Sequence, residues 1–179
     1  LGVEVCTTPV DITLALDKSG SMKSEKLNPP EPFTTVKNTA KDFISNLSDK
    51  DQVSVISFGN NSNLENTLSP DTADGITAID KLFLSTTTSE QTNITSGLQT
   101  SLNELLSSRA KDGNKKVLIL LTDGVPTLPI KPGFPNYPSS SANDLSQEVS
   151  SHNVELYTIG LGKDVSDAFL KSISTDDAH

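Results

Sequence analysis

The sequence has no Trp, one Met, one Cys and one Arg among its 179 residues. With Cys6 alone, an internal disulfide and a cysteine zinc cluster are both excluded, while a disulfide to a segment outside this chain stays open. Scarce oxidisable side chains, with Ser and Thr at about a quarter of all positions, make a composition often met outside the cell. An extracellular or cell-surface location is expected on that ground. Basic residues are also few: Lys and Arg total 14 against 23 Asp and Glu, for a net charge of -9. Such a chain repels polyphosphate, which excludes nucleic acid and an anionic membrane surface as main partners and favours a divalent cation or a basic surface.

Long hydrophobic runs are missing as well. Apolar residues make up 34%, and no window reaches the roughly 18 needed to cross a bilayer, so no direct membrane insertion is expected. No N-terminal stretch has the pattern of a signal peptide, and a start at Leu1 rather than Met predicts an excised or processed segment. At this length a single domain can bury roughly 70% of its unfolded surface. Residues 1–9 read as an N-terminal flank and residues 10–179 as that domain.

The equipment of several enzyme classes is lacking too. There is no Gly-x-x-x-x-Gly-Lys-Ser/Thr phosphate loop. His152 and His179 are isolated, without a cysteine or serine constellation for nucleophilic catalysis, and read as surface residues. No enzymatic activity is expected.

What is present alternates strands with helices. Val10, Ile12, Leu14, Ala15 and Leu16 form a buried strand ending on Asp17, and Val53–Phe58 and Val117–Leu121 form two more. Leu64–Leu68 follows the second strand too closely for a crossover, which predicts an antiparallel hairpin. Val154–Leu161 is a further strand. Apolar spacings of three and four predict helices over Phe33–Leu47, Ile76–Leu82, Ile94–Leu106 and Ser139–Val149, with a last one from Val165 to Ile173. The fold class is therefore α/β, a doubly wound, mainly parallel sheet with one antiparallel edge strand and helices on both faces. Asp11, alternating out of the first strand, reads as solvated; Asn93 reads as a helix cap, and Thr122 as packing beside its strand end.

In such sheets ligands sit beyond the carboxyl ends of the strands, where Asp17 and Asp123 both fall. The loop Asp17-Lys18-Ser19-Gly20-Ser21 offers one carboxylate and two hydroxyls at alternating positions, a hard-oxygen set suited to Mg²⁺, Mn²⁺ or Ca²⁺. Here the chain closely resembles the von Willebrand factor type A domains, also called integrin inserted domains. Their metal-ion-dependent adhesion site has an Asp-x-Ser-x-Ser loop, a Thr in a second loop and an Asp in a third. Asp17, Ser19 and Ser21 match the first, Thr92 in Thr92-Asn93-Ile94-Thr95 the second, and Asp123 in Thr122-Asp123-Gly124 the third.

The resemblance implies a strand order of 3-2-1-4-5 and one bound divalent cation, first of all Mg²⁺, with Mn²⁺ and Ca²⁺ open. It also implies a protein partner whose Glu or Asp carboxylate is captured at the cation. The family usually carries a sixth strand and a final helix, and little chain follows Ile173, so the domain is expected to lack them. Two rival functions stay open: an intracellular metal-dependent assembly module, and a metal-dependent hydrolase. Against the hydrolase, position 19 is Ser where such enzymes commonly place a second acid.

Pro126, Pro129, Pro132, Pro135 and Pro138 recur at the period of polyproline II, beginning three residues after Asp123. They make either a stiffened surface loop or a pre-ordered rim, in which Phe134 and Tyr137 would be aromatic contacts for a ligand.

Overall fold

The computed structural model describes residues 8–23, 32–84, 91–161 and 165–175. Five strands form one sheet: β1 (Val10–Asp17), β2 (Gln52–Phe58), β3 (Ser62–Ser69), β4 (Lys115–Thr122) and β5 (Val154–Gly160), in the order β3-β2-β1-β4-β5. All pairings are parallel except β2 with β3, the predicted hairpin. Only β3 among them has a mostly exposed burial pattern, which suits its polar sequence and edge position.

The helices are α1 (Pro32–Ser45), α2 (Thr72–Lys81), α3 (Ile94–Leu105), α4 (Tyr137–Ser151) and α5 (Asp167–Ile173). Strand alternation divides the core in two. Ile12, Leu14 and Leu16 of β1 pack with Phe33, Val36, Ala40 and Ile44 of α1 and with Ile79 of α2. Ala15, with Leu118 and Leu120 of β4, faces Leu98 and Leu102 of α3, Leu145 of α4 and Phe169 of α5.

Helix boundaries differ from expectation where capping overrides apolar spacing. Helix α2 starts at Thr72, four residues before the first periodic Ile76, because the Asp71 side chain accepts a hydrogen bond from Ala73 N. Helix α4 starts at Tyr137, so Tyr137 and Pro138 leave the expected proline loop and form its first turn, where proline loses no helical hydrogen bond. Nor do the spaced prolines form a continuous polyproline helix: Gly133 has φ of 81°, and turns close from Phe134 N to Lys131 O and from Tyr137 N to Phe134 O.

Asp11 corrects a second expectation. It is fully buried, its Oδ1 accepting from Gln52 Nε2 at 3.0 Å and Asn114 Nδ2 at 2.8 Å, and its Oδ2 from Lys111 N at 2.8 Å. A central strand covered on both faces has no solvent side for a polar residue to turn to. The network ties the amino end of β1 to the start of β2 and to the segment entering β4. On the α1 face, an apolar recess of ≈ 530 Å³ is bounded by Phe43, Val117, Ile119 and Tyr157.

Candidate functional site

Strands β1 and β4 are neighbours, and their last residues, Asp17 and Thr122, directly follow the paired Leu16 and Leu121. Both side chains point to the α3 side, in phase with Ala15 and Leu120. Thr122 Oγ1 donates to Asp17 Oδ2 at 2.6 Å. The other oxygen, Oδ1, accepts from Ser19 N at 2.7 Å, so the first loop folds back over its own carboxylate. A short 3-10 turn, Gly20–Met22, follows and buries Met22 completely against the α1-side core. That plug anchors a loop whose Ser21 is exposed.

Ser19 Oγ lies 3.0 Å from Ser21 Oγ, and Ser21 Oγ donates to Asp123 Oδ1 at 2.8 Å. Asp17, Ser19, Ser21 and Asp123 thus form one hydrogen-bonded chain across two loops. Asp17 is 0% exposed and Asp123 only 6%. Burial raises the Asp17 carboxyl to about 6, the nearby Asp123 charge adding to this, against hydrogen bonds from Ser19 and Thr122 that lower it.

Thr92 stands in the adjoining loop, immediately before α3, and is buried. Its backbone is gripped from two sides. Its N–H donates to Thr127 Oγ1 at 2.9 Å, and its carbonyl accepts from Thr127 N and Leu128 N; the following Asn93 N donates to Gly59 O, just past the end of β2. Asn93 also caps α3 as expected, its side chain accepting from Ser96 N. Thr92 is therefore held at the same sheet edge as the other four residues.

Phe134 is 57% exposed and Tyr137 half-buried, and both rings lie under one cation: Lys131 Nζ is 4.6 Å from the Phe134 centroid and 5.2 Å from that of Tyr137. Sequence reasoning assigns Thr122 a packing role beside its strand end but not its bond to Asp17, and misses Thr127 and Lys131. Strand alternation carries the signal for Thr122, because a residue two after Leu120 must share its face. Thr127 and Lys131 carry no such signal. His152 is exposed, and His179 and Cys6 lie outside the described residues.

Among the described residues no group of three or more His, Cys, Asp or Glu gathers. The donors are instead two carboxylates and several hydroxyls, which fits a hard divalent cation and does not fit a soft one. Among the described residues, the groups acting on buried Asp17 are hydroxyl residues and a second carboxylate, with no basic side chain among them.

A model of the von Willebrand factor type A domain matches residues 11–179. The chain belongs to that family. This von Willebrand factor type A domain is 29% identical over 175 residues to human inter-alpha-trypsin inhibitor heavy chain H4, covering 95% of this chain but 18% of that protein. It is 26% identical to proximal thread matrix protein 1 of the mussel byssus, in a structure described as having a zinc-occupied MIDAS motif. That match has a TM-score of 0.72 and covers 98% of this chain and 41% of the other. The manganese-loaded TRAP protein of Plasmodium vivax shares the fold, at 23% identity and a TM-score of 0.71, over 94% of this chain and 63% of that one. Among the described residues of the domain, no helix is long and apolar enough to cross a membrane.

Proposed function

We propose that this domain binds one divalent cation through Asp17, Ser19, Ser21, Thr92 and Asp123, and through it captures a Glu or Asp carboxylate of a partner protein. The observation that carries this reading is Asp17: a fully buried carboxylate aimed at a cluster of neutral oxygens and a second acid. A desolvated charge of this kind is costly unless a cation balances it. Mg²⁺ is the ion of choice, with Mn²⁺ and Ca²⁺ as substitutes, because every donor is a hard oxygen. When bound, the cation supplies electrophilic attraction for one more anion. Mg²⁺ takes about six oxygens and these five side chains fall short of that number, so a partner carboxylate has a place to bind.

The domain is read as a noncatalytic adhesion or protein-binding module, acting outside the cell or at its surface as part of a larger protein. Its likeness to a thread matrix protein of the byssus over nearly the whole chain supports that location. Isothermal titration calorimetry with Mg²⁺ and Mn²⁺ tests the site. One ion per domain is expected, and Asp17→Asn, which preserves shape, should weaken binding at least tenfold. Equal affinity in that variant would overturn the assignment. A screen of phosphate esters and peptides with Mg²⁺ should show no turnover; activity that disappears in Asp123→Asn would make the domain a hydrolase.

A further inference from the structure

We propose that Lys131, held over the Phe134 and Tyr137 rings on the loop leaving Asp123, reads a second acidic side chain of the partner. The ligand is then a protein segment carrying two carboxylates, one for the cation and one for Lys131. This rests on the reading that the Asp17 cluster captures the first carboxylate.

Charge is the first argument. The chain carries -9 overall, and three of its described basic side chains are paired with acids: Lys41 with Asp80, Lys115 with Glu155 and Arg109 with Glu104. Among the described residues Lys131 makes no ion pair and rests instead on two aromatic faces, 4.6 and 5.2 Å from their centroids. Ring faces attract and orient an ammonium group without neutralising it. The loop therefore presents fixed positive charge on an acidic protein, the complement of an anionic ligand.

Placement is the second. At its start the loop is tied over Thr92 by Thr127 and Leu128. At its end it enters α4, where Ser141 Oγ accepts from Thr95 Oγ1, in the first turn of α3. Both ends are thus fastened to the segment that carries Thr92, and Lys131 lies between them.

The third argument selects a protein over a sulfated glycan or a phosphate. Val125, Ile130 and Phe134, at 43%, 67% and 57% exposure, are three of the seven exposed large hydrophobic side chains among the described residues. Exposed apolar side chains on the same loop as a ring-held cation match a mixed apolar and acidic peptide surface. Phe134 and Tyr137 accordingly act by positioning Lys131 as well as by direct contact.

NMR titration of the domain in Mg²⁺ at low salt tests the proposal. The probes are short synthetic peptides with one Glu beside a Leu, and matched peptides with a second Glu a few residues away. The two-Glu peptides should bind about two- to fivefold more tightly, the range of an exposed ion pair. Lys131→Ala should remove that preference and leave one-Glu binding unchanged, Lys131→Arg should keep it, and Phe134→Ala should reduce it. A preference that survives Lys131→Ala overturns the inference, as does Mg²⁺-dependent binding of one-Glu peptides with no gain from the second Glu. If neither set binds in Mg²⁺, the cation-capture reading itself fails and this inference with it. Heparin oligosaccharide bound more tightly than any peptide in chelator, and lost in Lys131→Ala, would assign Lys131 to a glycan and overturn the proposal.

Discussion

Thr122 Oγ1 donates a 2.6 Å hydrogen bond to Asp17 Oδ2, joining the carboxyl ends of two adjacent parallel strands inside the protein. This bond, with the one from Ser19 N, sets the plane of the carboxylate from two sides. Partners of this kind orient a ligating group before any ion arrives, and their loss typically costs ten- to a hundredfold in metal affinity. Thr122→Val keeps the shape and removes the donor. Mg²⁺ affinity should fall about tenfold, with Thr122→Ser close to the parent, as read by calorimetry.

Gly97 lies in α3, one turn past the helix start, and a methyl added there would come within 2.9 Å of Phe58 Cδ1 and 3.0 Å of Cγ. Phe58 ends β2 and is fully buried, so neither group can move freely. Gly97→Ala should therefore push α3 off the sheet despite alanine's better helix propensity, costing about 1–3 kcal/mol in urea denaturation. Thr92 rides on the same helix start, so Mg²⁺ binding should weaken as well.

Asp11 and Asp17 lie on one face of one strand, at opposite ends. Asp11→Ala leaves the Gln52 and Asn114 amides without their buried acceptor and should destabilise the fold by about 2–4 kcal/mol. Metal affinity of the folded fraction should be unchanged, because the loss falls at the far end of β1.

Glu104 is 3% exposed; its Oε1 accepts from Leu68 N at 2.7 Å and Arg109 Nε at 2.8 Å, and its Oε2 from Arg109 Nη2 at 2.6 Å. Burial acts to raise its carboxyl, but the hydrogen bonds from Arg109 and Leu68, with the Arg109 charge, outweigh it and hold the group below the ordinary Glu value of 4.5. A depressed carboxylate adds stability that is fully present above the unfolded value and is lost as pH falls through the folded one. Parent and Glu104→Gln should accordingly differ by about 2 kcal/mol in urea midpoint free energy at pH 7, and the difference should shrink as the pH is taken down past the ordinary Glu value of 4.5.

Much of this was legible in the residues alone. Val117–Leu121 announces a buried strand by its unbroken apolar run, Val10–Leu16 and Val53–Phe58 by short stretches rich in apolar and β-branched residues, and the short gap before Leu64 leaves room only for a hairpin. Of the five proposed site positions, Asp17, Ser19 and Ser21 stand out because they lie within five residues at a strand end, and Asp123 because it directly follows an apolar strand, whereas Thr92 is named only through the family resemblance.

Tertiary structure decided what depends on distant neighbours. Asp11 reads as solvated by alternation, and is buried because β1 has partners on both edges and helices over both faces. Tyr137 reads as a loop aromatic, yet it opens α4, since the helix start is set by local turns and by Pro138 rather than by apolar spacing. The bond from Thr122 to Asp17 spans 105 residues and the grip of Thr127 on Thr92 spans 35. Local sequence chose the groups; the geometry that makes them act together comes from strand register and loop closure, which no local pattern encodes.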